Sequence, residues 1–261
     1  MKRVATAAGW TYLTAVYVFV IGPVVFVAAE SVNSAKAFPS AFAGVTLHWY
    51  QAILAHPEFF SAAWTSTLIA AVSSAVATAA AFTAGYALRR RGRQESAVLS
   101  TLLASPLLVP QIVISLAMLQ FAGLFGLGAG FASLIAVHTI HGLPFALRLV
   151  LTGFARFNFS LEDASFSLGA GRVTTWREVT LPLLRPNLIA GFTFCFILSF
   201  VNLPISLFLT DAQTTTLPLV MFAYIESRID PMLAAVATVV VVVAGIAMLV
   251  LERYLKIRLV E

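Results

Sequence analysis

The sequence predicts an all-α, polytopic membrane protein with about six transmembrane helices and a cytoplasmic loop of short helices. Of its 261 residues, 60% are hydrophobic and only 10% are charged, and the mean hydropathy is +0.95. A soluble domain usually carries about 25% charged residues, so this chain lacks the polar side chains that would cover it in water. The single cysteine, Cys195, excludes a disulfide within the chain, and no Cys/His pattern has the spacing of metal ligands.

Six apolar stretches are long enough to cross a membrane. A spanning helix needs about 20 apolar residues, because about 30 Å of hydrocarbon is crossed at 1.5 Å per residue. In lipid the backbone polar groups must be satisfied within the segment, so each stretch is expected to be a helix. The predicted spans are residues 8–29, 62–88, 97–122, 132–151, 188–209 and 232–251. We divide the chain into a first region, 1–61, with one span and an external segment, and a transmembrane domain, 62–261.

The first span admits a second interpretation. Lys2 and Arg3 precede an apolar run that ends in Val27-Ala28-Ala29, which has the order of a cleavable signal peptide. The run is about 20 residues long, whereas a signal core has about 7–15. We therefore expect the first helix to be retained.

The distribution of lysine and arginine predicts the orientation. Basic residues that would share one side are Lys2, Arg3, Arg89, Arg90, Arg91, Arg93, Arg148, Arg156, Arg172, Arg177, Arg185, Arg253, Lys256 and Arg258. Only Lys36 and Arg228 would lie on the other side. By the positive-inside bias, both termini are predicted to be cytoplasmic in a bacterial inner membrane. The net charge of +5 thus reflects topology, and no nucleic-acid partner is predicted, since such a partner needs a basic soluble surface.

The second span carries small residues at four-residue intervals, Ser73, Ala77, Ala81 and Gly85. In lipid, small residues at this spacing let two helix backbones approach closely. The pattern predicts a tight helix–helix contact and is not specific to one function.

The segment 156–186 is too polar to span and too long for a simple turn. It is expected to form two short helices. Ser160 and Asp163 have the spacing of a capping box for the first helix, and Thr175 and Glu178 repeat that signal for the second. Pro182 is expected to break or kink the second helix, because proline lacks the backbone N–H.

The first of these short helices carries an apolar stripe. Leu161, Ala164 and Leu168 fall on one face at i, i+3 and i+7. Gly169 follows, and glycine at this position commonly ends a helix with a positive φ. A short helix with one apolar face can bind in a groove of a partner protein.

The same segment resembles the cytoplasmic loop of type I ABC importer permeases. That family's motif is EAA, three residues, Gly, nine residues, Ile, one residue and Leu-Pro. Its counterparts here are Asp163-Ala164-Ser165, Gly169, Val179 and Leu181-Pro182, with every spacing kept. The departures are Asp for Glu and Ser for the second Ala, which roughly keep charge or size. The resemblance covers the chain from about Trp64 to the end.

The resemblance implies a non-enzymatic permease with no cofactor of its own, in which partner ATPase subunits bind ATP. The chain's three lysines lie outside any GxxxxGK context, as this division of labour requires. The implied partners are an ABC ATPase dimer, a second permease subunit (a homologous paralogue rather than another copy) and a periplasmic solute-binding protein. The residues implied to couple to the ATPase are Glu162, Asp163, Ala164, Ser165, Gly169, Ala170, Trp176, Leu181 and Pro182.

The flanking sequence further resembles the polyamine-type branch of that family, which includes aminoethylphosphonate systems. Many members carry a Ser-Phe-Asp-Glu-Phe run in helix five, where this chain has Ser199-Phe200-Val201-Asn202-Leu203. Both acids are absent, although a cationic polyamine would be expected to require carboxylates along its route. The substrate therefore stays open among small polar solutes. The polar groups expected near the pathway, or in interhelical hydrogen bonds, are Ser199, Asn202, Ser206, Gln111 and Gln120.

Two other classes of protein compete with this interpretation. An ion-coupled secondary transporter usually carries ionisable groups inside its spans, and His138 and His141 in the fourth span are the nearest candidates. An intramembrane enzyme would need a nucleophile with an adjacent base, and Cys195 has no nearby His in the sequence. No catalytic residue is predicted.

Overall fold

The computed structural model describes residues 2–35, 41–90, 93–228 and 230–255, and the regular structure of that part is helical. The helices are α1 (Lys2–Glu30), α2 (His48–Leu54), α3 (Pro57–Arg90), α4 (Arg93–Ala104), α5 (Gln111–Leu124), α6 (Phe131–Arg156), α7 (Ser160–Ser167), α8 (Arg172–Thr175), α9 (Leu181–Phe200), α10 (Leu203–Leu209), α11 (Leu217–Ser227) and α12 (Met232–Leu255). A 3₁₀ turn, Ser105–Leu108, follows α4, and a π-helical turn, Trp176–Thr180, joins α8 to α9. Of the basic residues used for the orientation, Lys36, Arg91, Lys256 and Arg258 lie outside the described residues.

The all-α polytopic prediction is confirmed. Five helical segments of the described chain are long and apolar enough to cross a membrane, and a sixth results if the bent pair Val98–Leu108 and Gln111–Leu124 counts as one span. The expectation that each span is one helix is wrong for the third and fifth spans, residues 97–122 and 188–209, which are interrupted.

The third span is bent by 97° where α4 and its 3₁₀ turn meet α5. Val109 is extended and Pro110 precedes the first residue of α5. Proline disfavours helical geometry in the residue before it and donates no hydrogen bond, so the helix cannot continue through this point.

The fifth span is interrupted at 201–202, between α9 and α10. Asn202 is extended, and its side chain accepts a 2.9 Å hydrogen bond from the backbone N–H of Ile205. Asn is a favoured N-cap residue, and Pro204 in the first turn of α10 suits a helix start. The sequence at the interruption therefore encodes a new helix rather than a continued one.

The described chain divides into two compact units. In the first unit, residues 1–59 and 221–256, α12 packs against both α1 and α2. The segment that follows α1 is held by the fully buried Asn33, whose Oδ1 accepts from the N–H groups of Ala35 and Ala43. The Trp49 indole donates to the Asn33 carbonyl at 2.7 Å. This network joins the described residues 33–35 to residues 43–49.

The second unit, residues 60–220, is built on contacts of α6 with its neighbours, above all α9. The small residues Ser73, Ala77 and Ala81 of α3 are buried. A Cβ added to Gly85 would lie 3.1 Å from Val150 of α6. The predicted close approach of α3 to another helix is therefore confirmed, and α6 is that helix.

Candidate functional site

Residues 157–180, which we call the elbow, project from the end of α6 and lead into α9. The first elbow helix, α7, ends in a Schellman motif. The N–H of Ala170 donates to the Ser165 carbonyl at 3.1 Å, and that of Gly169 donates to the Phe166 carbonyl at 2.9 Å. Gly169 has a φ of +84°, which confirms the prediction that the glycine ends the helix in a left-handed conformation.

The two predicted capping boxes are wrong. Ser160 is the first residue of α7, and its N–H donates to the Asn158 side chain at 3.1 Å. Thr175 begins no helix, because a continuous helical segment runs from Arg172 to Phe200.

Pro182 does not interrupt that segment. The π-helical turn just before it bonds the Leu181 N–H to the Trp176 carbonyl. A π turn uses i→i+5 bonds, so the helix passes the proline with its hydrogen bonds shifted by one residue. The expected break at Pro182 is therefore replaced by a local change of helix type.

The apolar stripe of α7 faces away from this chain. The Leu168 side chain is 89% exposed and that of Leu161 is 45% exposed. Of the residues implied to couple, those that are exposed are Asp163, Ala164, Gly169, Leu181 and Pro182, and those that are half-buried are Ser165, Ala170 and Trp176. Exposed apolar side chains rimmed by polar ones are typical of a protein-interaction surface.

Glu162 differs from its neighbours because it is fully buried. Its carboxylate accepts hydrogen bonds from the Tyr86 hydroxyl at 2.9 Å and from the Thr180 hydroxyl, and it forms an ion pair with Arg90. Sequence reasoning missed these three donors. Tyr86 and Arg90 lie more than 70 residues from Glu162, so no local pattern connects them to the elbow.

An aromatic wall lies beside this carboxylate. It consists of Phe82, Tyr86, Phe154, Phe159 and Trp176. The Trp176 ring packs edge-on against Tyr86 at 5.1 Å and against Phe82 at 5.4 Å. Trp176 thus anchors the elbow to α3 by an apolar contact of the kind that contributes about 0.5–1.5 kcal/mol per aromatic pair.

A second group of polar residues forms inside the spans, where the two helix interruptions meet. The Asn202 amide donates to Gln111 Oε1 at 3.1 Å, and Gln111 Nε2 in turn donates to His141 Nε2 at 3.0 Å. Gln111 is the first residue of α5 and Asn202 caps α10. The hydrogen bond between them joins the two interruptions.

Serine and histidine side chains extend this group. The Ser199 hydroxyl lies 2.9 Å from His138 Nδ1 and 3.3 Å from the Ser73 hydroxyl. We call the six residues Ser73, Gln111, His138, His141, Ser199 and Asn202 the polar cluster. It brings together groups from α3, α5, α6 and α9.

Three of the five predicted pathway residues, Ser199, Asn202 and Gln111, belong to the polar cluster. Ser206 lies next to it and donates to the Asn202 carbonyl at 3.0 Å. Gln120 is exposed and lies nine residues, about 14 Å along α5, from Gln111. The interhelical contacts of Ser73 and His138 were not predicted.

The chemistry of the polar cluster is that of amides, hydroxyls and imidazoles, with no carboxylate among its members. His138 Nε2 and His141 Nδ1 are buried without a hydrogen-bond partner in the described structure. Buried polar atoms are normally paired with protein or ordered water. The cluster therefore has hydrogen-bonding capacity to spare for water or a polar solute.

The fold is that of a helical membrane permease. Residues 77–260 match the model of the family described as binding-protein-dependent transport system inner membrane component. The chain belongs to this family, and it is an inner-membrane, multi-pass permease subunit of an ATP-binding-cassette importer.

Relatives and solved structures agree with this assignment. The spermidine/putrescine transport system permease protein PotC of Escherichia coli K12 is 28% identical over 233 residues, which cover 89% of this chain and 88% of PotC. The putrescine transport system permease protein PotI of the same organism is 27% identical, with 88% of this chain and 84% of PotI covered.

The fold is shared with solved importers. A chain of a bacterial ABC transporter that imports the acidic polysaccharide alginate matches with a TM-score of 0.74 and 15% identity, covering 99% of this chain and 97% of that one. A chain of the methionine transporter MetNI in an inward-facing form matches with a TM-score of 0.59 and 19% identity, covering 75% of this chain and 93% of that one.

Proposed function

We propose that this subunit lines the route by which a small polar solute, such as a polyamine, an aminoethylphosphonate or a similar compound, crosses the membrane after delivery by a periplasmic binding protein. The observation that carries the proposal is the polar cluster, because it lies where two helices are interrupted inside otherwise apolar spans. Interrupted helices line solute sites in other transporters, where they free backbone and side-chain groups for the solute. The names of the relatives PotC and PotI support the class of solute.

The exposed stripe of α7 is the surface that docks in the ATPase dimer. Its leucines are exposed, and an amphipathic helix laid in a groove is a common mode of recognition. The partner subunits bind and hydrolyse ATP, and this chain carries out no catalysis and holds no cofactor. In this arrangement the elbow and both termini are cytoplasmic. A reporter fused to the C-terminus tests the orientation: a green fluorescent protein should fluoresce there and alkaline phosphatase should be inactive.

A second permease subunit, a homologous paralogue, completes the route. Affinity purification of the tagged chain from detergent-solubilised membranes, followed by mass spectrometry, tests the partners together. We expect an ABC ATPase and a second permease to be recovered. Replacing Leu168 with serine should reduce recovery of the ATPase, whereas Ser167→Ala on the neighbouring exposed position should not.

Recovery of the intact chain without any ATPase, under conditions that preserve known importers, would contradict the proposal. Solute uptake driven by a proton or sodium gradient in liposomes that contain this chain alone would instead favour an ion-coupled secondary transporter. His138 and His141 would then be its candidate ionisable groups.

Uptake by the reconstituted importer tests the polar cluster. Asn202→Leu and Gln111→Leu remove the hydrogen bond between the two interruptions and should reduce uptake at least tenfold, while ATPase recovery is unchanged. Gln120→Leu is the matched control and should retain uptake within twofold. Radiolabelled putrescine and 2-aminoethylphosphonate, each presented with the cognate binding protein, identify the solute. Equal loss of uptake in all three variants would contradict the proposal that the polar cluster lines the route.

A further inference from the structure

The buried carboxylate of Glu162 connects three parts of the chain. Glu162 itself belongs to α7, its donors Tyr86 and Arg90 lie in the last turns of α3, and Thr180 lies at the end of the π turn that leads into α9. Both carboxylate oxygens are engaged, since Thr180 binds Oε1 while Tyr86 and Arg90 bind Oε2. A single side chain therefore ties α7 to the end of α3 and to the π turn that leads into α9.

We call Glu162 together with its three donors the joint, and aromatic rings flank it. The guanidinium of Arg90 stands over the Tyr86 ring at 5.1 Å and over the Phe159 ring at 5.3 Å. The Glu162 carboxylate is fully buried, whereas the Arg90 side chain is 44% exposed. Hydrogen bonds to the buried carboxylate are stronger than they would be in water, and loss of its donors would leave a buried carboxylate unpaired, which is unfavourable. Movement of α7 relative to α3 and to the π turn would break these hydrogen bonds.

The same two helices meet again at the polar cluster. Ser73 lies 17 residues before Arg90, or about 26 Å along α3, and Ser199 lies 19 residues after Thr180, or about 28 Å along the segment that ends in α9. Their hydroxyls are 3.3 Å apart. Both helices thus run from Glu162 and its donors to the polar cluster: α3 passes it at Ser73, and α9 ends beside it at Phe200.

We infer that Glu162 is a positioning residue that transmits movement of the elbow to the polar cluster through α3 and α9. Full burial excludes it from direct contact with a partner that docks on the elbow, whereas the adjacent carboxylate of Asp163 is exposed. The two neighbouring acids therefore have different tasks: Asp163 belongs to the docking surface, and Glu162 links that surface to the spans. This inference rests on the proposed coupling function.

The test compares importers that contain wild-type or variant subunits, reconstituted with their ATPase and binding protein in liposomes. Glu162→Gln keeps the shape of the side chain and removes its charge, and Thr180→Val keeps the ion pair and removes one donor. Three quantities are measured: ATPase recovered on purification, ATP hydrolysis, and solute transported per ATP hydrolysed.

For both variants we expect recovery of the ATPase and hydrolysis within twofold of wild type, with at least a tenfold fall in solute transported per ATP. In the doubly altered subunit Arg90→Gln, Glu162→Gln, the fall should be no larger than in Glu162→Gln alone, because both changes break the same link. Asp163→Asn is the matched control. It should reduce recovery of the ATPase while leaving solute per ATP unchanged in the complexes that form.

Wild-type solute per ATP in both Glu162→Gln and Thr180→Val would overturn the inference. Loss of assembly in both variants would also overturn it, because Glu162 would then only stabilise the fold. If the wild-type chain recovers no ATPase, it is the proposed function that fails, and this outcome is distinct from either result.

Discussion

Gly169 offers the sharpest test of the elbow, because its conformation is costly for any other residue and its surroundings are empty. Its φ is +84°, and no atom outside Gly169 and its two chain neighbours lies within 4 Å of the position that a Cβ would occupy. A substitution therefore acts through the backbone alone. For an L-residue the left-handed conformation costs about 1–2 kcal/mol, and a β-branched side chain tolerates it least. A cost of one or two kcal/mol changes an equilibrium about 5- to 30-fold.

We expect Gly169→Val to lower the population of the Schellman geometry at the end of α7 by at least that factor. The positions of Leu168 and Ala170 would change with it. Solute transported per ATP should fall accordingly, while the subunit still inserts in the membrane. Gly169→Asn should retain more activity than Gly169→Val, because Asn enters the left-handed region most readily after Gly. The assay is transport and ATP hydrolysis by the reconstituted importer.

Gly171 supplies the matched control two residues away. It also has no atom within 4 Å of an added Cβ, but its φ is −77° and its ψ is 166°, a conformation open to all residues. Gly171→Val should therefore transport normally. Equal activity of Gly169→Val and wild type, or equal loss in Gly169→Val and Gly171→Val, would refute the reasoning from backbone conformation.

Two further predictions concern packing and the segment after α1. In Gly153→Ala, the new Cβ would lie 2.7 Å from the Asn187 side chain. Overpacking of this kind costs about 1–3 kcal/mol, so the aggregation temperature in detergent should fall. Gly245→Ala is the control: it has open space around it and lies inside α12, where Ala is favoured over Gly, so the aggregation temperature should not fall. Asn33→Ala leaves two backbone N–H groups without their acceptor, which costs about 1–3 kcal/mol. When protease is added to spheroplasts, the segment after α1 should therefore be cleaved faster in Asn33→Ala than in wild type. Ser34→Ala is the control and should be cleaved at the wild-type rate. Unchanged protease resistance in Asn33→Ala would mean that this segment does not depend on its buried amide.

The class of fold and the elbow could be predicted from the sequence because their signals are local. Hydrophobic runs of about 20 residues predict spans whatever the tertiary structure. The φ of Gly169 followed from the rule that helices end at glycine. The exposed stripe of α7 followed from helical periodicity within eight residues.

The joint at Glu162 and the polar cluster could not be predicted in this way, because they depend on contacts between distant parts of the chain. Glu162 has the same local signal as Asp163, and only packing against α3 decides that one is buried and the other exposed. The capping signal at Thr175 is overridden by continuation of the helix from Arg172. The Asn-x-Pro sequence at Asn202 is a local signal for a helix start. Hydropathy alone does not detect it, because the residues on both sides are apolar.

The bend in the third span has a consequence for biosynthesis. The two arms, Val98–Leu108 and Gln111–Leu124, are bent by 97° and are about 17 Å and 21 Å long at helical rise. Neither reaches across about 30 Å of hydrocarbon. The second arm packs against α6 and α10, and α10 ends at Leu209, so the ribosome must make roughly 85 further residues before the arm has both of its neighbours. This stretch of the chain therefore takes its final position only after later spans have entered the membrane.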